Sequence, residues 1–433
     1  MTRRSVVVTG MGAISPAGLG VPALWQVARD GRACGNRITQ FDVSRSSSQI
    51  AAETPNFDAF VAGIDVSAAS RMDRVTQFSV AASLEAMRDA GLESDVFEPE
   101  QAGVCIGTAI GGVAYMERVF NRICLRNGEV KVTPLELLID KVDANLYSGF
   151  LAQSVSSEVA VAHGLKGFCT TMATGCTAGA DAIGAAYDLI SSGLADIMIA
   201  GGAEAPLTPI VITAFDNINC LTRRNDQPFK ASRPFDRDRD GFLLAEGCGL
   251  LVLEEEQHAR ARGACIYGCI IGYASLSNAY HMTGLPADGA ALARTLRRAL
   301  HNARINSSDV DYINAHGSST PQNDVNETAA FKTVFGDGAY RIPISSTKSV
   351  VGHALGAASA LESIVCICAI RNGVIPPTAN YETPDPNCDL DYVPNQPREA
   401  KLKVVECNAS GFSGIHSSLL FASHDFAGAG ASA

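Results

Sequence analysis

Three residues combine reactive side chains with backbone settings that favour reactivity: Cys176, His316 and His353. Cys176 stands in Thr174-Gly175-Cys176-Thr177, where a glycine turn leads into an alanine-rich stretch. A cysteine at a helix start faces unpaired backbone N–H groups and the positive end of the helix dipole, and both favour its thiolate. This setting predicts a nucleophile of lowered pKa. His316 follows a strand-like run in Ala315-His316-Gly317-Ser318-Ser319-Thr320, where small neighbours let a ligand approach the backbone. His353, after Gly352, opens a second apolar helical stretch. Either histidine alone fits a hydrogen-bonded core residue. With Cys176, at the strand and helix ends where α/β proteins build their sites, they form a candidate catalytic set.

A cation and an anion complete the set. Lys348 lies in Ser345-Ser346-Thr347-Lys348-Ser349, and Glu362 falls nine residues after His353. That is about two and a half helical turns, too far for direct contact between His353 and Glu362. Glu362 is expected to support Lys348 or a buried network, and an exposed ion pair fits the spacing equally well. Near the end, Asn408-Ala409-Ser410-Gly411-Phe412-Ser413-Gly414-Ile415-His416 sets one aromatic among glycines. Such a loop can flex and aim a backbone N–H at a developing oxyanion, and an ordinary tight turn before Ser418-Leu419-Leu420-Phe421 is compatible with the same letters.

The elements that position these residues read as alternating strands and helices. Val6-Val7-Val8-Thr9-Gly10-Met11-Gly12 suggests a buried strand entering a tight turn, and strand-like runs recur at 103–107, 195–202, 249–253 and 310–314 with alanine-rich stretches between them. The pattern implies an α/β protein with covered sheets. The first run lacks the third glycine of a dinucleotide fingerprint and Pro16 follows it, which argues against a nucleotide site. Residues 174–180 and 351–357 both place glycine before a reactive residue and Gly-Ala soon after. This weak repeat suggests two similar halves, 1–255 and 256–433, whose helix starts converge on one site.

Composition narrows the function. At 47% hydrophobic and 18% charged, the 433-residue chain is ordinary globular protein. A net charge of −11 argues against a nucleic-acid surface, so an acidic partner must meet a local basic patch. Arg71, Arg74, Arg223 and Arg224 are the candidates, the first two spaced for one helix face. No run approaches the ~18 apolar residues of a membrane span, and the opening does not read as a signal peptide. Thirteen cysteines, mostly in apolar runs, suggest reduced thiols in the cytoplasm. Cys265 and Cys269 lack partners at metal-ligand spacing, so no metal is expected.

Together with Ser232-Arg233-Pro234-Phe235-Asp236, Ala279-Tyr280-His281-Met282-Thr283, Asn314-Ala315-His316-Gly317, Lys348-Ser349-Val350-Val351-Gly352-His353 and Pro376-Pro377-Thr378-Ala379-Asn380, these motifs resemble the elongating β-ketoacyl synthases. The similarity is strongest to the ketosynthase alpha subunits of bacterial type II polyketide synthases. The resemblance implies a thiolase-like fold of two pseudo-symmetric halves in an α-β-α-β-α arrangement, and a dimer formed through the first half. It implies decarboxylative Claisen condensation. Cys176 would take an acyl chain from the phosphopantetheine of an acyl carrier protein, and His316 and His353 would polarise the malonyl thioester carbonyl. The N–H groups of Cys176 and Phe412 would hold the oxyanion, with Lys348 and Glu362 steadying the histidines. Thr283, Ser318 and Thr320 would line the pantetheine tunnel, and Phe412 would gate it. No resident cofactor is implied, and the dimer partner would be an identical chain or a chain-length factor.

The chain departs from the fatty-acid members of that family. They carry threonine at the Ser318 position, an aromatic at Ser410, glycine at Ser413 and asparagine at His416. Ser410 and the run Thr378-Ala379-Asn380-Tyr381-Glu382-Thr383-Pro384-Asp385-Pro386 favour the polyketide branch over a homodimeric fatty-acid synthase. A non-catalytic chain-length factor lacks the nucleophile that Cys176 supplies, and a thiolase proper would need a second cysteine in the closing loop.

Overall fold

The computed structural model describes residues 3–92, 96–126, 129–130, 144–286 and 288–426, without the side chains of residues 125, 126, 129, 130 and 413. Ten strands carry the architecture: β1 (Val6–Ser15), β2 (Ala102–Gly107), β3 (Cys169–Met172), β4 (Ile197–Glu204), β5 (Gly247–Glu255), β6 (Gly268–Ser277), β7 (Tyr312–Asn314), β8 (Ile344–Ser345), β9 (Val404–Ser410) and β10 (Ile415–Ala422). With the short strand Gly18–Leu19 they make one eleven-stranded sheet among the described residues, in the order β8-β7-β9-β10-β6-β1-β5-β4-β2-β3. Outward from the central β6–β1 pair, one side runs 1-5-4-2-3 and the other 6-10-9-7-8, the same winding used twice. On both sides the outer three strands are parallel and the inner pairings antiparallel.

Five helices matter to the site: α1 (Arg74–Ala90), α2 (Ala178–Ser191), α3 (Ala290–Ala303), α4 (Pro321–Phe335) and α5 (Ala358–Asn372). The helices α2 and α5 pack on each other and on strands of both halves, while α1 covers β1 and β5 and α3 covers β6 and β10. The result is the α-β-α-β-α layering. The central helices must be apolar all round, because both faces meet a sheet. Every residue of α5 from Ala358 to Ala369 is buried. The segment Leu355–Asn372 is long and apolar enough to cross a membrane, but 83% of it is buried inside the fold, which makes it a core helix.

Two expectations change here. The first strand does not turn at its glycines but continues through them to Ser15, with a shift of register against β5 between Val8 and Gly10. A Cβ at Gly10 would lie 2.3 Å from the Ala86 carbonyl oxygen, and one at Gly12 would lie 2.0 Å from that of Ala82. The glycines let α1 sit directly on the strand. The internal repeat also has a different register. Each central helix is entered through one 3-10 turn, Gly175–Thr177 before α2 and Leu355–Ala357 before α5. Both turns begin with positive φ, 68° at Gly175 and 43° at Leu355. Cys176 therefore corresponds to Gly356, not to His353. Gly352 ends the short helix Lys348–Val351 rather than opening a new one, and the His353 N–H donates to the Leu243 carbonyl at 2.8 Å.

Candidate active site

Cys176, His316, His353, Phe412, Thr283, Ser318 and Thr320 line one cleft of about 60 Å³. Residues from both halves meet there, because α2 and α5 point their first turns at the same place.

His316 lies just beyond β7, on a turn fixed by a buried carboxylate. The N–H groups of His316 and Gly317 donate to Glu327 on α4 at 2.8 and 2.7 Å. Glu327 also accepts from Asn323 and Asn408, and the Ser346 hydroxyl donates to the Gly317 carbonyl at 2.8 Å, so the turn is held from both sides. Burial pushes its carboxyl up to about 7. The His316 and His353 rings stand edge to face, 5.1 Å apart and at 84°. Burial first, and then the charge of Lys348, hold both imidazoles well below the ordinary histidine range. They are neutral at pH 7 and can stabilise an enolate without bringing a competing charge.

Lys348 does not line the cleft. Its Nζ pairs with Glu362 Oε1, and both side chains are almost fully buried. Burial raises Glu362 to about 7 against the pull of Lys348. The spacing left open an exposed ion pair or a buried network, and the network is what forms. It sets a fixed positive charge behind the histidines.

Cys176 corrects the expectation of a lowered pKa. Burial pushes its thiol up to about 11, and Lys348 together with the N–H groups of Phe412 and of Cys176 itself only partly offsets this. Desolvation outweighs a single helical turn of dipole. The resting sulfur is a thiol, held where those two N–H groups converge.

Phe412 sits in the one-turn segment Phe412–Gly414 that joins β9 to β10. Its ring lies 6.4 Å from Phe215, which meets Phe242 at 5.4 Å, which in turn meets His353 at 5.2 Å. Ser318 and Thr320 face each other at 2.9 Å, and Thr320 also accepts from the Asn323 N–H to cap α4. Below the loop, Ser410 Oγ and His416 Nδ1 are 2.9 Å apart across the β9–β10 pair. The Ser413 side chain lies outside the described residues.

Of the candidate docking arginines, Arg71 and Arg74 do not share one helix face. Arg71 ends the short helix Val66–Arg71 and is exposed, whereas Arg74 begins α1. Arg74 pairs with Glu246 at 2.8 Å and lies over the rings of Phe57 and Phe78, so its charge is already used. Arg223 donates to Asn219 at 2.6 Å, and Arg224 bonds the Asp238 carbonyl with Asp240 nearby. Among the described residues no group of three or more His, Cys, Asp or Glu side chains is placed to hold a metal ion.

Three carboxylates escaped the sequence reading: Glu327, Asp181 and Glu204. Asp181 accepts from Thr174 and Thr177, and Glu204 accepts from the N–H groups of Ala109, Ile110 and Gly356. The available signal was a lone acid in an otherwise small or apolar stretch, as in Ala178-Gly179-Ala180-Asp181-Ala182 and Gly201-Gly202-Ala203-Glu204-Ala205. Such an acid is costly to bury unless something donates to it.

A twice-wound α/β sheet around two central helices, with a cysteine and two neutral histidines at their converging ends, defines a condensing enzyme of the thiolase-like class. Residues 3–259 match the family model for the β-ketoacyl synthase N-terminal domain, and residues 267–382 match that for its C-terminal domain. The chain belongs to the β-ketoacyl synthase family. It is 45% identical to the tetracenomycin polyketide synthase ketoacyl synthase alpha subunit of Streptomyces glaucescens, over 98% of each chain. It is 42% identical to the 3-oxoacyl-[acyl-carrier-protein] synthase 2 of Synechocystis, over 97% of this chain and 98% of that one. Among solved structures it is similar to a type II polyketide synthase acyl-carrier protein in complex with its ketosynthase bound to the hexaketide, AntDE:AntF. That match has a TM-score of 0.90 and 42% identity, covering 97% of this chain and 100% of the other. The ishigamide ketosynthase/chain length factor matches with a TM-score of 0.89 and 35% identity, over 98% and 100%.

Proposed function

We propose that this chain is the catalytic ketosynthase of a type II polyketide system, with Cys176 as acyl acceptor and His316 and His353 as enolate stabilisers. The observation that carries the reading is one cleft holding the sulfur, two neutral imidazoles and the Phe412 turn. In the first half-reaction the Cys176 sulfur attacks the carrier-bound acyl thioester. The carrier thiol leaves with the proton, and the oxyanion rests on the N–H groups of Cys176 and Phe412. In the second, malonyl carrier protein loses carbon dioxide, and His316 and His353 hold the enolate oxygen. The carbanion then attacks the acyl-Cys176 carbonyl, the β-ketoacyl chain leaves on the carrier, and the Cys176 thiolate regains a proton. The chain's own residues supply every group in these steps, so no resident cofactor is invoked.

Thr283, Ser318 and Thr320 suit the pantetheine arm because their hydroxyls line the approach to Cys176. The strand β3 ends the sheet with one open edge, which suits pairing with a second chain, either identical or a chain-length factor. Thirteen free thiols suit a cytoplasmic setting, and the 255/256 boundary falls between the two windings, after β5 and before β6.

The test is intact mass after incubation with acyl carrier protein bearing a heavy acyl group. Wild type gains the acyl mass and Cys176→Ala does not, while Cys176→Gln still releases carbon dioxide from malonyl carrier protein. A Cys176→Ala protein that still condenses would sink the assignment. In the same carbon dioxide assay, Phe412→Ala should release carbon dioxide before Cys176 is charged, at about ten times the wild-type background. An unchanged background would remove the gate.

A further inference from the structure

Asp181 lies in the first turn of α2, five residues after Cys176, and is 1% exposed. Its two oxygens serve different parts of the site. Oδ2 accepts from the hydroxyls of Thr174 at 2.5 Å and Thr177 at 2.8 Å, the residues flanking Gly175 and Cys176. Oδ1 accepts from Tyr273 on β6 at 3.0 Å and from Ser417 on β10. Ser417 pairs with Ala409 in the hairpin that carries Phe412 at its tip. Tyr273 is itself pinned, because its ring lies against Gly184, where a Cβ would come within 2.3 Å of it. One carboxylate therefore joins the nucleophile turn to the hairpin that supplies the second N–H. The matching position in α5 is Leu361, which has no carboxylate to tie its entry turn to another element.

We propose that Asp181 is a positioning residue that keeps the Cys176 turn and the Phe412 hairpin in register, so that both N–H groups meet the same oxyanion. Four hydroxyls converging on one buried carboxylate is a stiff arrangement, since charge-assisted hydrogen bonds are short and strong. The proposal rests on the reading of Cys176 as the acyl acceptor. It assigns Asp181 to acyl transfer and condensation, the steps that form a tetrahedral oxyanion at Cys176. It leaves decarboxylation to the histidines, whose turn is held by Glu327 instead.

The experiment separates those steps. Asp181→Asn keeps the shape, but one amide oxygen cannot accept from all four hydroxyls. Acyl loading and condensation should fall about 10- to 100-fold in kcat with KM for the carrier protein unchanged, as expected for misplaced oxyanion donors. Alkylation of Cys176 by iodoacetamide should change as well. In the Cys176→Gln background, adding Asp181→Asn should leave carbon dioxide release from malonyl carrier protein within about twofold. Parallel loss of condensation and decarboxylation would overturn the proposal, and so would unchanged acyl loading. If Cys176→Gln alone releases no carbon dioxide, the functional reading falls, which is a separate result. Should Asp181→Asn fail to fold, Ser417→Ala releases only the hairpin arm and is judged by the same split.

Discussion

The turns before α2 and α5 follow the same backbone path, yet their N–H groups face opposite fates. In the second half the Gly356 N–H donates to Glu204 Oε2 at 3.0 Å, on a carboxylate that also accepts from Ala109, Ile110 and Thr108. A Cβ at Gly356 would come within 2.7 Å of that oxygen, so glycine is required there. In the first half the equivalent residue is Cys176, whose N–H faces its own sulfur beside the Phe412 N–H. A helix-entry turn is an anion-receptive device wherever it occurs. One copy is filled by Glu204, and the other has no such carboxylate at its cysteine N–H, which suits the oxyanion proposed for it. The two halves present matching turns, and a single carboxylate distinguishes the filled one from the other.

Breaking the filled turn should have the largest effect. Glu204→Ala would leave the buried Gly356 N–H and the partly buried N–H groups of Ala109 and Ile110 without their acceptor, at a cost of roughly 3 kcal/mol in urea unfolding. Glu204→Gln keeps one acceptor oxygen and should lose less. If both variants unfold at the wild-type midpoint, Glu204 is not what holds the second turn.

How much of this was legible in the sequence depended on which force placed each residue. The candidate set that the structure gathers in one cleft was readable because Cys176, His316 and His353 each stand beside glycines at element ends, and local backbone freedom leaves a mark in the letters. The alternation of strands and helices was readable from apolar runs. The role of Gly10 and Gly12 was not, because a glycine that admits a helix looks the same as one that makes a turn. The repeat register was missed because Gly352 and Gly356 both fit the pattern, and only the helix start tells them apart. The thiol of Cys176 was misjudged because desolvation depends on what covers a residue, and its covering comes from distant parts of the chain. The pairing of the partly exposed Arg74 was not readable because Glu246, its partner, is 172 residues away.

A second, smaller effect sharpens the contrast through pH. Decarboxylation by Cys176→Gln should stay flat from about pH 8 to pH 6, since both imidazoles lie well below the ordinary value near 6.5. The sign is fixed by the depression: the neutral rings' contribution to stability is present above the unfolded value and is lost as pH falls through the folded one. Burial is the first cause and Lys348 the next. Removing the cation as Lys348→Met, with Glu362→Gln so that no lone carboxylate remains, should move the acid limb upward. A full return to 6.5 would lower the rate at pH 6 about fourfold for each imidazole that must stay neutral, roughly 17-fold for the pair. An acid limb that does not move would mean that Lys348 acts only as a structural partner of Glu362.

The smallest effect belongs to the approach. If the open turn is the one that receives a carrier-borne thioester, the charge that guides an acidic carrier should lie on the first half's surface, and the exposed Arg71 is the residue placed for it. Arg74 cannot share the task, because it is bound to the buried Glu246. Arg71→Glu should therefore raise KM for acyl carrier protein about threefold at low salt, the scale of one exposed charge, with kcat unchanged. At about 0.5 M salt the difference should shrink toward nothing, because exposed charges are screened within a few ångströms there. Arg74→Glu should instead lower stability at every salt concentration, since it sets two carboxylates together beside Phe57 and Phe78. A pantetheine thioester without its protein provides the control, for it has no acidic surface to steer. Equal loss with that small substrate would show that Arg71 shapes the cleft rather than the encounter, and the guiding charge would then have to be sought elsewhere on this half.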